Sequence, residues 1–175
     1  MVVKFNNELH TVFSMVHRTP GNLRGFVQVK MRNLRNGSQI EHRFASEDKI
    51  EKIALDEQEM EFLYEDGDTY YFMNIENYEQ LGFSSDTLGD AVKYLIPNLK
   101  IKIEFYEGRA VGVDLPATVP MKILEVEPGL KGATVSNVGK PAKMETGLIV
   151  QVPAFINEGE VIMVSTIDGS YQQRA

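Results

Sequence analysis

Two stretches of this chain alternate apolar and polar residues with a period of two. "FVQVKMRN" sets Val27, Val29 and Met31 against Gln28, Lys30 and Arg32, and "LKIKIEF" sets Leu99, Ile101, Ile103 and Phe105 against Lys100, Lys102 and Glu104. That period belongs to a strand with one buried face; helical apolar positions recur every three to four residues. Turn chemistry punctuates the strand-like runs: Pro20-Gly21, Asp66-Gly67, Glu107-Gly108, the Asn6-Asn7 pair in "FNNEL", and Asn36-Gly37, which reads as a two-residue hairpin. An all-β fold built from hairpins follows. "SSDTLGDAVKYL" departs from it. There Leu88, Ala91, Val92 and Leu95 recur at helical spacing behind a Ser84 or Ser85 cap and before Pro97, which predicts one short helix.

The segments differ in charge. Residues 1–52 hold nine Lys/Arg against five Asp/Glu, a balance of +4; residues 53–115 hold four against fourteen, or −10; residues 116–175 hold five against six, or −1. Strands, a short helix and more strands describe a small OB-type Greek-key barrel for 53–115. The third segment is nearly all strand and turn. Its "EGEVIMVSTI" from Glu158 matches "DGDTYYFMNI" from Asp66, 92 positions earlier, so the second and third segments read as two barrels of one kind in tandem. Three small β-barrel domains are expected: 1–52, 53–115 and 116–175.

Several chemistries are excluded. With no cysteine in 175 residues, disulfides and thiolate metal sites are impossible. His10, His17 and His42 lack ligand spacing, and "DEQEMEFLYEDGD" lacks the spacing of a calcium loop, so no metal site is expected. "GATVSNVGK" ends in Gly-Lys, but Pro141 stands where a phosphate loop needs Ser or Thr and no helix pattern follows. No apolar run reaches the roughly 20 residues of a membrane span, and the first ten residues lack a signal peptide's basic start and apolar core. The expected setting is the cytoplasm. A basic first segment beside an acidic second one points to a nucleic-acid partner for the basic end.

The whole chain resembles bacterial elongation factor P. The most specific match is "KPAKMETGLIVQVPAFINEG", in which Lys140, Ala142, Gly147, Val150, Val152, Pro153, Ile156 and Gly159 meet the fixed places of that family's third-domain signature. "KMRNLRNGSQIEHRF" and "YEDGDTYYFMNIENYEQ" add similar text in the first two segments. The resemblance implies an SH3-like or KOW-like barrel followed by two OB-fold barrels in an L shape. It also implies a monomeric, non-enzymatic translation factor without a cofactor. Its partners would be both ribosomal subunits, rRNA and the peptidyl-tRNA, and its task the joining of consecutive prolines. The hairpin tip Pro20, Gly21, Asn22, Leu23, Arg24 and Gly25 would reach toward the peptidyl-transferase centre. The family typically carries a modified Lys or Arg where this chain has Asn22, and an amide offers no ε-amine or guanidinium, so an unmodified tip is expected. Arg18, Lys30, Arg32, Tyr171 and Arg174 would face tRNA or rRNA, and Gly132, Thr134, Ser136, Gly139 and Lys140 the small subunit near the exit site. Two alternatives remain at this point: an elongation factor P-like paralogue, or an RNA-binding OB-fold protein without a ribosomal role.

Overall fold

The computed structural model describes residues 1–21, 24–127 and 139–175. Its fold is all-β: three curled five-stranded sheets and one short helix. The backbone divides into two compact units, Met1–Asp56 and Glu57–Ala175. In the first, β1 (Val2–Phe5), β2 (Glu8–Arg18), β3 (Phe26–Asn33), β4 (Gln39–Ala45) and β5 (Glu51–Lys52) are ordered β4-β3-β2-β1-β5. The alternation in β3 buries Val29 and Met31 with Val3 and leaves Lys30 and Arg32 exposed. A buried polar link crosses this sheet. The His10 ring donates from Nδ1 to the Glu8 carbonyl (3.1 Å), so Nε2 is free to accept from the Asn33 amide (3.4 Å), which also reaches the Glu8 carboxylate (2.6 Å).

The second unit holds two sheets. One contains β6 (Asp56–Asp66), β7 (Thr69–Asn74), β8 (Gln80–Ser84), β9 (Lys100–Tyr106) and β10 (Arg109–Asp114), ordered β10-β9-β6-β7-β8. The other contains β11 (Thr118–Val126), β12 (Lys140–Met144), β13 (Ile149–Val152), β14 (Val161–Ser165) and β15 (Tyr171–Arg174), ordered β13-β12-β11-β14-β15. In each, the first described strand lies between the second and the fourth, so the two sheets share one strand order, as two barrels of one kind require. The textual match that suggested it is nevertheless between non-equivalent strands: β7 is second in its sheet and β14 fourth. An acid-Gly-acid turn suits any tight reversal, so it marks hairpins rather than barrel positions.

The helix expected across 84–95 is split. Ser84 caps it, its hydroxyl accepting from the Thr87 amide, and α1 runs only Ser85–Leu88. Gly89 then takes φ +58° and ψ −135°, outside any helix, and the chain continues as a 3₁₀ turn, Gly89–Tyr94. The apolar spacing was set by burial: Leu88, Ala91 and Leu95 are all buried. Tyr94 is buried in the core of the third sheet with Val119, Met121, Ile162 and Val164, while Leu99 and Leu115 pack against the cores of both sheets. The Thr146 hydroxyl donates to the Lys93 carbonyl (2.6 Å), tying the third sheet to the same turn. Pro120 sits inside β11 without penalty to the ladder. There β11 pairs with β14, and it pairs with β12 only from Ile123 onward, so the proline interrupts no second partner.

Asn36-Gly37 is not a two-residue hairpin. The β3–β4 loop spans Leu34–Gly37. The Asn33 side-chain oxygen accepts from the Arg35 and Asn36 amides, its carbonyl accepts from Gly37, and its amide donates to Ser38. The same closure recurs at Asn74, whose partners are Glu76, Asn77, Tyr78 and Glu79. At Ser165 the hydroxyl accepts from Ile167, the carbonyl from Gly169, and the amide donates to Ser170. The fifth residue counted from Asn33, Asn74 or Ser165 inclusive is left-handed: Gly37 at φ +72°, Gly169 at +71°, and the non-glycine Tyr78 at +60°.

Candidate nucleic-acid interface

The long hairpin β2–β3 carries the candidate site. Its arms pair from His10↔Asn33 to Arg18↔Phe26, with a bulge between Val12 and Ser14 that inserts Phe13. Directly opposite residues share a face, so the register sorts the side chains. One face carries Val12, Met31 and Ile40, then Met15, Val29 and His42, then His17, Val27 and Phe44; its aliphatic residues other than Met15 and its Phe44 meet the core, while Met15, His17 and His42 are exposed. The other carries Thr11, Arg32 and Gln39, then Ser14, Lys30 and Glu41, then Val16, Gln28 and Arg43, then Arg18, Phe26 and Ala45. The three basic residues on the arms of this hairpin that were expected to meet RNA, Arg18, Lys30 and Arg32, therefore lie together on the outer face and are all exposed. Without the bulge, Val12 and Ser14 would share a face, and the β2 side chains on one flank of it would be turned over.

Arg43 completes this face and was not singled out from the sequence. Its signal was readable only through register: opposite Gln28, it extends the row of Lys30 and Arg32 onto β4. Two cations are held over aromatic rings, Arg43 5.2 Å from the Phe26 centroid and Arg32 6.0 Å from the Phe13 centroid. Both guanidinium groups are thus positioned on apolar ledges. Lys30 stands 3.8 Å from Glu41, the carboxylate on this face, and Gln28 also reaches Glu41. Four cations against one carboxylate suit a phosphate backbone.

Beyond Arg18 and Phe26 lies the tip. Pro20 and Gly21 are exposed, and Gly21 takes φ +47° with open space around it. Arg24 is exposed; Asn22 and Leu23 lie outside the described residues. The base of the tip is tightly closed at Gly25. The Ser46 hydroxyl donates to its carbonyl (2.8 Å), and a Cβ there would meet His17 Nε2 and Ser46 Oγ at 3.1 Å and Thr19 Oγ1 at 3.2 Å. His17, Thr19 and Ser46 thus fix where the tip leaves the sheet, and sequence reasoning missed all three in that role.

The residues expected to act in the third sheet have different surroundings. Tyr171 is half-buried and packs on the core. Arg174 lies in β15, its Nε 2.9 Å from a Glu160 carboxylate oxygen, its Nη2 donating to the Phe155 carbonyl (3.3 Å), and its guanidinium 5.0 Å from the Phe155 centroid. The Asn157 backbone amide, the Asn157 side chain and Arg174 together hold Glu160 below the usual carboxylate range. Gly139 approaches the Val152 carbonyl so closely that a Cβ would lie 3.2 Å away, and Lys140 starts β12 opposite Val152. Gly132, Thr134 and Ser136 lie outside the described residues. Among the described residues no group of His, Asp and Glu is arranged to hold a metal ion, and no helix is long and apolar enough to cross a membrane.

Three family models cover nearly all of the chain: the elongation factor P KOW-like domain over residues 1–50, its OB domain over 55–113, and the elongation factor P C-terminal domain over 119–174. A protein named elongation factor P from Acidobacterium capsulatum is 61% identical over all 175 residues, which cover 94% of its own length. The chain belongs to the elongation factor P family. A second member, from Gemmatimonas aurantiaca, is 45% identical over the whole chain and 93% of its own length. A solved structure of eukaryotic translation initiation factor 5A from Methanococcus jannaschii superposes with a TM-score of 0.52, covering 65% of this chain and 85% of that one at 16% identity. That likeness is one of fold. Membership makes the chain a translation elongation factor whose first sheet is the KOW-like domain, whose second is the OB domain and whose third is the family's C-terminal domain.

Proposed function

We propose that this factor binds the ribosome beside the peptidyl-tRNA and speeds peptide-bond formation at consecutive prolines by orienting the tRNA end, with no chemistry of its own. The observation that carries the reading is the basic outer face of β2–β3. Arg18, Lys30 and Arg32 lie on it on the same hairpin that holds the tip, with Arg43 beside them on β4, so phosphate contacts along the arms would aim the tip at the reacting end. Proline's ring restrains the reacting amine and carbonyl, and a factor that restores their alignment lowers the barrier through orientation.

The tip works unmodified in this reading, because Asn22 has neither an amine nor a guanidinium to extend. Arg24 supplies the cation, always charged and planar enough to stack on a base or fork onto a phosphate. The loop containing Gly132, Thr134 and Ser136, with Gly139 and Lys140, meets the small subunit near the exit site, and Tyr171 and Arg174 border RNA there. The factor acts as a cytoplasmic monomer without a cofactor.

The test separates binding from activity. Arg24→Ala removes at most one phosphate contact, lowering the salt slope of ribosome affinity by roughly 1. Replacing Gly21 to Arg24 by a Gly-Ser turn should leave ribosome association within about tenfold while largely abolishing tri-proline synthesis, since a shift near 1 Å costs on the order of a hundredfold in rate. Lys100→Ala should change neither. A tip replacement that relieves the stall as well as the parent would reduce the hairpin end to a solvated turn.

A further inference from the structure

The outer face of the β6–β7–β8 meander combines an aromatic stack with a charge pattern that excludes nucleic acid. A bulge between Phe62 and Tyr64 inserts Leu63, so the register gives the rows Glu61–Met73–Gln80, Tyr64–Tyr71–Gly82 and Asp66–Thr69–Ser84 on one face. The core takes the other, with Phe62, Phe72 and Leu81. Tyr64 and Tyr71 are stacked, centroids 4.8 Å apart and planes 24° apart, and Tyr64 keeps 52% of its surface exposed. Tyr71 also reaches across Gly82 on the edge strand, where a Cβ would lie 3.2 Å from its ring and 2.9 Å from the Thr69 methyl. The glycine therefore lets the rings lie flat on the sheet.

Between Lys52 and Lys93 the chain contains no Lys or Arg and eleven Asp or Glu. Among the described residues neither Glu61 nor Asp66, which flank the stack along β6, has an ion-pair partner. Alternate residues on a strand are about 7 Å apart, within reach of one long cationic side chain laid over the Tyr64 ring. From this charge complementarity we infer that the Tyr64–Tyr71 stack is a docking surface for an Arg- or Lys-rich segment of another protein. The cation lies on the free face of Tyr64 and its donors are shared with Glu61 or Asp66. Arginine is favoured over lysine, because its planar group stacks and forks at once.

The experiment is calorimetric titration of the full chain with an Arg-Ser repeat peptide, its Lys-Ser counterpart and a short oligo-uridine, so no ribosome is involved and its result stands apart from stall relief. The Arg peptide should bind more tightly than the Lys peptide, and any binding of the oligo-uridine, which the basic face of β2–β3 can hold, should be unchanged by Tyr64→Ala. Tyr64→Ala should weaken the Arg peptide about five- to tenfold and Tyr64→Phe should retain it. Removing two acids from the β7–β8 loop with Glu76→Gln and Glu79→Gln should change it less than about twofold after screening. Equal binding by Tyr64→Ala would overturn the inference. So would an equal loss in the loop variant, which would mean bulk charge attraction, or a loss of oligo-uridine binding in Tyr64→Ala, which would make the surface a nucleic-acid site. Self-association of the parent that Tyr64→Ala abolishes would assign the surface to a second copy and overturn it too.

Discussion

Tyr94 belongs by sequence to the turn after α1 and by packing to the third sheet, so Tyr94→Ala should destabilise the two-sheet unit at its seam. The side chain is 8% exposed and sits among Val119, Met121, Ile162 and Val164. Its hydroxyl lies where a Cβ on Gly169 would be only 3.2 Å away, which fixes the close approach of the β14–β15 loop. Truncating a buried aromatic costs about 3–5 kcal/mol, transfer and cavity terms together. In a unit of this size that is a fall of roughly 10–20 °C in its melting temperature. Thr146→Ala, which removes only the hydrogen bond to the Lys93 carbonyl, should cost about 1 kcal/mol. Denaturant melts of the full chain give the energies, and amide exchange gives the location. Protection should fall in β11 and β14 of the third sheet and stay unchanged in β2 and β3 of the other unit. A loss below about 1 kcal/mol, or exchange changes confined to residues 89–94, would show that Tyr94 fills a local niche and does not join two cores.

Two further outcomes follow from the charges. Glu160 is held below the usual carboxylate range in the folded chain, so on acidification the unfolded chain takes up this proton first; its contribution is full above the ordinary carboxylate pKa and is lost as pH falls through the lower folded value. Glu160→Gln should therefore flatten the acid limb of a stability-versus-pH curve, and an unchanged limb would contradict the pairing with Asn157 and Arg174. Alanine at Arg18, Lys30 and Arg32 together should lower the salt slope of ribosome affinity by about 2–3, read by sedimentation over a salt series; an unchanged slope would remove these side chains from the RNA contact.

The all-β class, the hairpin order and the core positions were legible because burial on one face writes a period of two directly into residues such as Val29, Met31, Ile101 and Ile103. Where the sequence misled, the local signal was real and its geometry was decided elsewhere. Leu88, Ala91 and Leu95 repeat at helical spacing and are all buried, yet Gly89 splits the segment. Asn36-Gly37 promised the shortest hairpin, but the side chain of Asn33, three residues earlier, draws the loop into a longer closure. Within the candidate site, Arg18, Lys30 and Arg32 were readable as strand cations. Arg43 became their neighbour only through the β3–β4 register, and the clamp of His17, Thr19 and Ser46 on Gly25 only through contacts between residues distant in the chain.

The loop closed by Asn33, Asn74 and Ser165 is wired from its own first residue, so its shape is settled before any partner arrives. Each can therefore form as soon as six consecutive residues have left the ribosome's exit tunnel, at the small closure entropy of a short loop. Each then offers two strands already in register for zipping. Three such starting points, at positions 33, 74 and 165, put one in each sheet. An all-β chain, whose distant pairings would otherwise make it a slow folder, thereby acquires a local place to begin in every domain it must build.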